Sequence, residues 1–223
     1  EDFYLGKATE RIFLPLMRTQ LPEIVDMNMP AEGVFHNLVI LSIDKRFPMQ
    51  ARRLMSALWG MGQMSFVKTI IVFDQDVDIQ NTQKVIETLL NKIDFTHDLF
   101  FSEGILDVLN HASDKALYGS KLGIDATTKI EGEDESKIKS ENNSKTASPL
   151  SEHVLESFTE LTSCKILKQN DLHQVAFATL DKKKPQQGCK VIKKFMNDKK
   201  FSAITVFVLL ENHENVNDAS TRS

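Results

Sequence analysis

Residues 38–81 and residues 175–218 carry the same order of apolar and polar positions at a constant offset of 137, with no gap. Ile43-Asp44-Lys45 meets Leu180-Asp181-Lys182, Pro48 meets Pro185, and Gln50 meets Gln187. Leu54-Met55 meets Val191-Ile192, residues 70–73 meet 207–210, and Asp74 meets Glu211. Each copy reads as strand, turn, helix, strand. Leu38-Val39-Ile40-Leu41 is a continuous apolar run, as expected of a strand covered on both faces. Pro48 suits the first turn of a helix, which carries Ala51, Leu54, Met55, Leu58 and Trp59 as a stripe. Residues 69–73 form a second buried strand. The pattern predicts an α/β fold, a three-layer α/β/α arrangement with a mostly parallel or mixed sheet, followed by a partial repeat of the β-α-β unit. The second copy lacks Trp59 and the glycines, and has His213 for Asp76, so a site is less expected there.

Around the first copy, residues 8–20 read as a helix with Ile12, Phe13, Leu16 and Met17 on one face and Pro15 inside. Residues 23–29 read as extended, 81–90 as a helix and 99–102 as a strand. In a parallel sheet the working loops lie at the carboxyl ends of the strands, here 44–47, 74–78 and 102–107. Residues 128–152 mix dense charge (Glu131, Glu133, Asp134, Glu135, Lys137, Lys139) with Asn and Ser, and bury too little to fold alone. The expected organisation is therefore a domain over 1–127, a charged flexible linker over 128–152 and a degenerate β-α-β repeat over 153–223. The opening Glu1-Asp2-Phe3 reads like the interior of a longer protein.

Charge and motifs narrow the function classes. A net charge of −4 argues against a nucleic-acid binder, and no apolar run reaches membrane-spanning length. Two cysteines, Cys164 and Cys189, cannot build a disulfide scaffold or a four-ligand zinc site. Asp74, Asp76 and Asp78 alternate at a strand end, but the glycine and glutamate of a calcium loop are missing, and Asp78 is expected to cap the next helix. None of the six histidines is paired at the i, i+4 spacing of a helical metal site. Gly119-Ser120-Lys121-Leu122-Gly123 reads as a glycine turn presenting a Lys and a Ser to a phosphate or carboxylate, without the full phosphate-loop pattern. Residues 60–66, apolar and glycine-rich, join a helix to a buried strand as core packing or as a pocket lining. There is no Ser-His-Asp order, CxxC, HExxH or GxGxxG, so these residues alone leave the function open.

Longer blocks carry more. Ala8-Thr-Glu-Arg-Ile-Phe-Leu-Pro-Leu16, Leu21-Pro-Glu-Ile-Val-Asp-Met27, Pro30-Ala-Glu-Gly-Val-Phe-His-Asn-Leu38, Ala57-Leu-Trp-Gly-Met-Gly-Gln-Met64, Asp107-Val-Leu-Asn-His-Ala-Ser113 and Tyr118-Gly-Ser-Lys-Leu-Gly-Ile-Asp-Ala-Thr127 resemble the carboxy-terminal domain of the UbiD family, most closely its menaquinone-biosynthesis branch. The likeness covers residues 1 to about 128. It implies a lyase: a non-oxidative decarboxylase of a small aromatic or unsaturated carboxylic acid in menaquinone or ubiquinone biosynthesis. It implies prenylated FMN with a divalent metal (Mn or Mg) and potassium, bound mainly by a preceding domain that also carries the acid/base residues. This chain alone is then inactive and contributes no catalytic residue or metal ligand. Its implied roles are to form homo-oligomer contacts and to cap the pocket. The substrate-pocket wall implied by the resemblance is Gln63, Met64, Phe66, Lys68, Leu106 and Asp107, with Lys121 as a cofactor-binding candidate. A flavin prenyltransferase supplies the cofactor, the setting is cytoplasmic, and neither nucleic acid nor a membrane span is involved. Ile105 stands where the family often has Pro, and Met49 where Gly is frequent; the latter exchange is expected to be harmless. The alternative is a non-catalytic assembly or protein-interaction module derived from that family.

Overall fold

The computed structural model describes residues 2–35, 37–94, 97–110, 113, 115–133, 150–168, 174–201 and 204–211. Its contacts divide the chain into two units, Glu1–Lys137 and Ile138–Ser223. The first unit runs α1 (Asp2–Gln20), β1 (Ile24–Asn28), β2 (Leu38–Ile43), α2 (Gln50–Trp59), β3 (Thr69–Asp74), α3 (Thr82–Lys92), β4 (Leu99–Ile105) and β5 (Tyr118–Asp125). The sheet order is β1-β2-β3-β5-β4. Strands β2, β3 and β5 are parallel, and the edges β1 and β4 run antiparallel to them. Side-chain alternation explains why Leu38-Val39-Ile40-Leu41 is apolar throughout. Val39, Leu41, Ile43, Ile70 and Val72 pack with α1 and α2, whereas Ile40, Ile71 and Phe73 pack with Val77, Ile79 and Val85 on the other face. The result is the expected α/β layering with a mixed sheet.

Several expectations are corrected. In α1 the stripe holding Ile12 and Leu16 faces outward, at 67% and 59% exposure, while Gly6, Glu10, Met17 and the following Leu21 are buried. Glu10 is tolerated there because Lys7 and Arg11 pair with it and Met29 N–H donates to it. The expected turn at 119–123 is strand β5. Its glycines serve close packing: a Cβ on Gly123 would lie 2.4 Å from Met55 Sδ, and one on Gly119 would lie 2.4 Å from Ser113 Oγ. The cap of α3 is Asn81, whose side chain accepts from Lys84 N–H, rather than Asp78. Residues 128–133 are not linker. Glu133 is buried against Lys45 at 2.5 Å and accepts from the N–H groups of Met49 and Ile130. Desolvation raises the Glu133 carboxyl, but those donors outweigh it and hold it below the usual range. Met49 has φ 60°, a left-handed conformation that costs a residue with a Cβ, so the residue expected to be harmless here carries a backbone cost. The rest of the expected linker up to 149 lies outside the described residues, as do His36, His111, His173 and His213, the side chain of His153 and the repeat beyond 211.

The second unit comprises α4 (Leu150–Ser157), β6 (Leu161–Lys168), β7 (Gln174–Leu180), α5 (Gln187–Asn197) and β8 (Ile204–Glu211). Its sheet order is β6-β7-β8, with β6 antiparallel and β8 parallel to β7. The register repeats that of the first unit at the same offset of 137. Leu41 faces Val72 as Ala178 faces Leu209, and Ile24 faces Ile43 as Leu161 faces Leu180. Both β1 and β6 shift register after their first paired residue. Gln50 Oε1 accepts from Arg46 N–H at 2.7 Å, and Gln187 Oε1 from Lys183 N–H at 2.9 Å. Met49 and Gln186 precede their helices with φ 60° and 61°. The second unit has no counterpart of β4 and β5 among the described residues.

Candidate functional site

Because β4 is antiparallel, its carboxyl end lies at the amino end of β3 and β5. The loop after β4 therefore joins residues 62–68, which enter β3 at that same end, opposite to the end expected from a wholly parallel sheet. Three local features build this corner. A 3-10 turn, Gly62–Phe66, leads into β3. Trp59 Nε1 donates to Val67 O at 3.1 Å. Lys121, in β5 and only 3% exposed, donates from Nζ to Ser65 O at 2.6 Å and Val67 O at 2.7 Å. Its ammonium sits 5.9 Å from the Trp59 ring centroid. Burial lowers this amine to about 8. The Lys121 amine is thus committed to the turn that the resemblance makes a pocket wall, rather than presented to a ligand.

Beside the turn lies a polar cleft of about 300 Å³ lined by Lys68, Glu103, Ser113, Lys115, Tyr118, Gly119 and Ser120. Lys68 Nζ reaches Asn110 Oδ1 at 3.2 Å. Asn110 Nδ2 is buried with no hydrogen-bond partner, and so is Oδ1 of Asn37, whose carbonyl accepts from the N–H groups of Lys68 and Thr69. Native interiors rarely leave such donors unmet, so an orphan amide beside a lysine marks a place for an acceptor. Tyr118 Oη donates to Glu103 at 2.8 Å, which raises the phenol. Two lysines and three hydroxyls on this lining suit a carboxylate or phosphate, and the Glu103 carboxylate on the same lining accepts from Tyr118. They fit one anionic end of a larger ligand. Among the described residues no group of three His, Cys, Asp or Glu gathers to hold a metal.

Of the predicted wall residues, Lys68 lines the cleft, Phe66 is half-buried and Gln63 is exposed. Met64 and Leu106 are core, at 5% and 1% exposure; Leu106 Cδ1 lies 2.9 Å from where a Gly119 Cβ would be. Asp107 Oδ1 accepts from Leu109 N–H at 2.8 Å and shapes the loop. Sequence reasoning singled out Ser120 as a group presented to a phosphate or carboxylate, and it does line the cleft; it missed Glu103, Asn110, Ser113, Lys115 and Tyr118. Three of these stand in the blocks 107–113 and 118–127 quoted above, but without a fold no spacing rule joins them to Lys68.

Fold and cleft define an α/β domain with a polar cleft at the amino end of its central strands. The model of the 3-octaprenyl-4-hydroxybenzoate carboxy-lyase C-terminal domain of the UbiD family matches residues 3–126, more than half of the chain, and the chain belongs to that family. An uncharacterized protein of Aquifex aeolicus is 48% identical over 129 residues, covering 58% of this chain and 26% of the relative. One of Helicobacter pylori is 45% identical over 130 residues, covering 58% and 21%. The matched region thus spans about a quarter of these relatives' length. Among solved structures, the UbiD-class enzyme HmfF of Pelotomaculum thermopropionicum with FMN aligns with TM-score 0.51 and 21% identity, covering 65% of this chain and 31% of that one. The vanillic acid decarboxylase of Sedimentibacter hydroxybenzoicus in open form aligns with TM-score 0.50 and 23% identity, covering 64% and 30%. These likenesses carry the fold. No helix among the described residues is long and apolar enough to cross a membrane.

Proposed function

We propose that this chain is the carboxy-terminal cap and assembly part of a cytoplasmic, prenylated-FMN-dependent, non-oxidative decarboxylase of an aromatic or unsaturated acid in quinone biosynthesis. The supporting observation is the cleft at the amino end of β3, where Lys68 and the unmet Asn110 amide stand beside the 62–66 turn. Lys68, Asn110 and Ser120 would hold an anionic group of the cofactor or substrate. When bound, the prenylated flavin supplies an electron sink for the pair left as CO2 departs. Metal and potassium are assigned to the preceding part of the protein, together with the acid/base groups. The residues of this chain exclude water: Phe66 supplies apolar wall, and Lys121 fixes the turn that carries it. Exposed Phe3, Tyr4, Ile12 and Leu16 on α1 suit homo-oligomer contacts. We read the second unit as a degenerate copy of the first β-α-β unit, supported by the shared offset and register. The test uses the full-length protein and this chain alone, each co-produced with a flavin prenyltransferase. Flavin absorbance and CO2 release are expected only in the longer protein. There, Phe66→Ala should lower turnover per bound flavin. Absence of flavin in both proteins would overturn the reading.

A second reading, an assembly or interaction module, is favoured for residues 150–211 by exposed Ile192 and Met196.

A further inference from the structure

In the first unit the apolar stripe of α2 is covered. Met55 is 0% exposed, a Cβ on Gly123 would strike its Sδ, and Trp59 packs on Phe100. The same stripe recurs 137 residues later on α5 as Ile192 and Met196, and there it is open, at 40% and 75% exposure. The charge beside it differs as well. On α2 the cation next to the stripe, Arg53, pairs with Glu23. On α5 Lys190 stands in its place, Lys193 and Lys194 stand where α2 has Ser56 and Ala57, and Lys199 and Lys200 stand where the first unit has Gly62 and Gln63.

The helical period sorts these side chains. Val191 and Phe195 of α5 face inward, both at 3% exposure. Ile192 and Met196, four apart, share one line of the outer surface, and Lys190 and Lys193, three apart, share the adjoining line. All four are exposed, as are Lys199 and Lys200 just past the helix. Lys194 belongs to the flank away from Met196 and ties the helix to its own unit. Its Nζ donates to Ser157 O at 3.2 Å and lies 4.8 Å from the Phe158 ring centroid. The helix is thus held by its buried face and one flank, and it presents an apolar line edged by lysines.

We infer that the outer face of α5 docks on an anionic lipid surface, with Ile192 and Met196 entering the apolar boundary and Lys190, Lys193, Lys199 and Lys200 meeting headgroup phosphates. Two features choose this occupant. Long lysine stems reach up to the phosphates while the apolar side chains beside them sink, so both lines of the helix are served by one surface. A nucleic-acid groove adds exposed aromatics or arginine forks, and residues 187–201 hold no arginine and only Phe195 and Phe201, each 3% exposed. With 11 residues α5 lies on such a surface and does not cross it. The site does not rest on the decarboxylase reading.

The test is sedimentation of the full chain with phosphatidylcholine vesicles, plain or containing about one-third phosphatidylglycerol. Binding is expected to the anionic vesicles and to fall as salt rises. A polarity-sensitive dye on exposed Cys189, one turn before Ile192 and Lys193, should shift to the blue as they bind. Lys190→Glu with Lys193→Glu should weaken binding at least tenfold, whereas Lys190→Arg with Lys193→Arg should bind as the parent does. Ile192→Gln with Met196→Gln leaves the charge unchanged and should weaken binding several-fold. Equal binding to plain vesicles, no sedimentation with anionic ones, no shift of the dye, or binding that survives the glutamate pair would overturn the proposal. If the glutamine pair binds like the parent, the contact is ionic alone and the lipid assignment fails. Self-association of the chain that the glutamine pair abolishes would give the face to a second copy and overturn it too.

Discussion

Lys121→Met removes the amine that ties β5 to the 62–66 turn while keeping the length of the side chain. Two bonds go, to Ser65 O and Val67 O. Val67 O keeps the Trp59 indole as donor, so the main loss is the Ser65 carbonyl, at about 1–3 kcal/mol for a buried group left unmet. At neutral pH part of this is returned, because the parent buries an ammonium with no carboxylate beside it. The sign follows from the lowered amine. Its ordinary value is 10.5 and burial brings it to about 8 in the folded chain. Between these values the unfolded chain binds more protons than the folded one, so parental stability rises with pH across that window. Each pH unit in it is worth at most ~1.36 kcal/mol. The neutral amine still has two N–H groups for two carbonyls, so the turn keeps its anchor above pH 8. The gap in stability between parent and Lys121→Met should therefore widen by a few kcal/mol from pH 8 to 10.5. Urea unfolding at a series of pH values measures it, with a carbon-13 shift titration of the lysine Cε locating the midpoint. An amine that titrates near 10.5, or a gap that stays flat or narrows, would refute the reasoning.

Glu133→Gln leaves Lys45 buried without its carboxylate and should cost the first unit about 3–5 kcal/mol, read as a lower urea midpoint. Met49→Gly relieves the left-handed backbone and, after the greater freedom of glycine in the unfolded chain, should stabilise by about 0.5–1 kcal/mol by the same assay. Leu106→Ala should destabilise by about 2–5 kcal/mol, as expected of a core residue rather than a pocket lining. Cys189 is exposed, whereas burial pushes the Cys164 thiol up to about 11, so maleimide at pH 7.5 should label Cys189 first by peptide mass mapping.

The elements were legible where the periodicity was strong. The apolar runs at 38–41 and 69–73 and the helix at 50–59 follow from burial on two faces or one stripe, which sequence spacing encodes directly. The offset of 137 was legible for the same reason, and the structure carries it through register, bulge and the paired glutamines. Strand β5 was not legible, because its glycines signal a turn unless a helix side chain is known to fill the space where a Cβ would stand. The buried face of α1 was not legible either, since the stripe holding Ile12 and Leu16 and the one ending in Met17 and Leu21 are both apolar, and only packing selects between them.

By itself the sequence determined the α/β class, the doubled β-α-β pattern and the blocks that mark the family, because these depend on neighbours a few residues apart. The tertiary structure alone decided that β4 runs antiparallel. That direction carries the 105–118 loop to the amino end of β3 and unites Lys68 with Asn110 across 42 residues. It also decided that Glu133 closes on Lys45. Such pairings join residues far apart along the chain, and only chain direction and packing bring them within bonding distance.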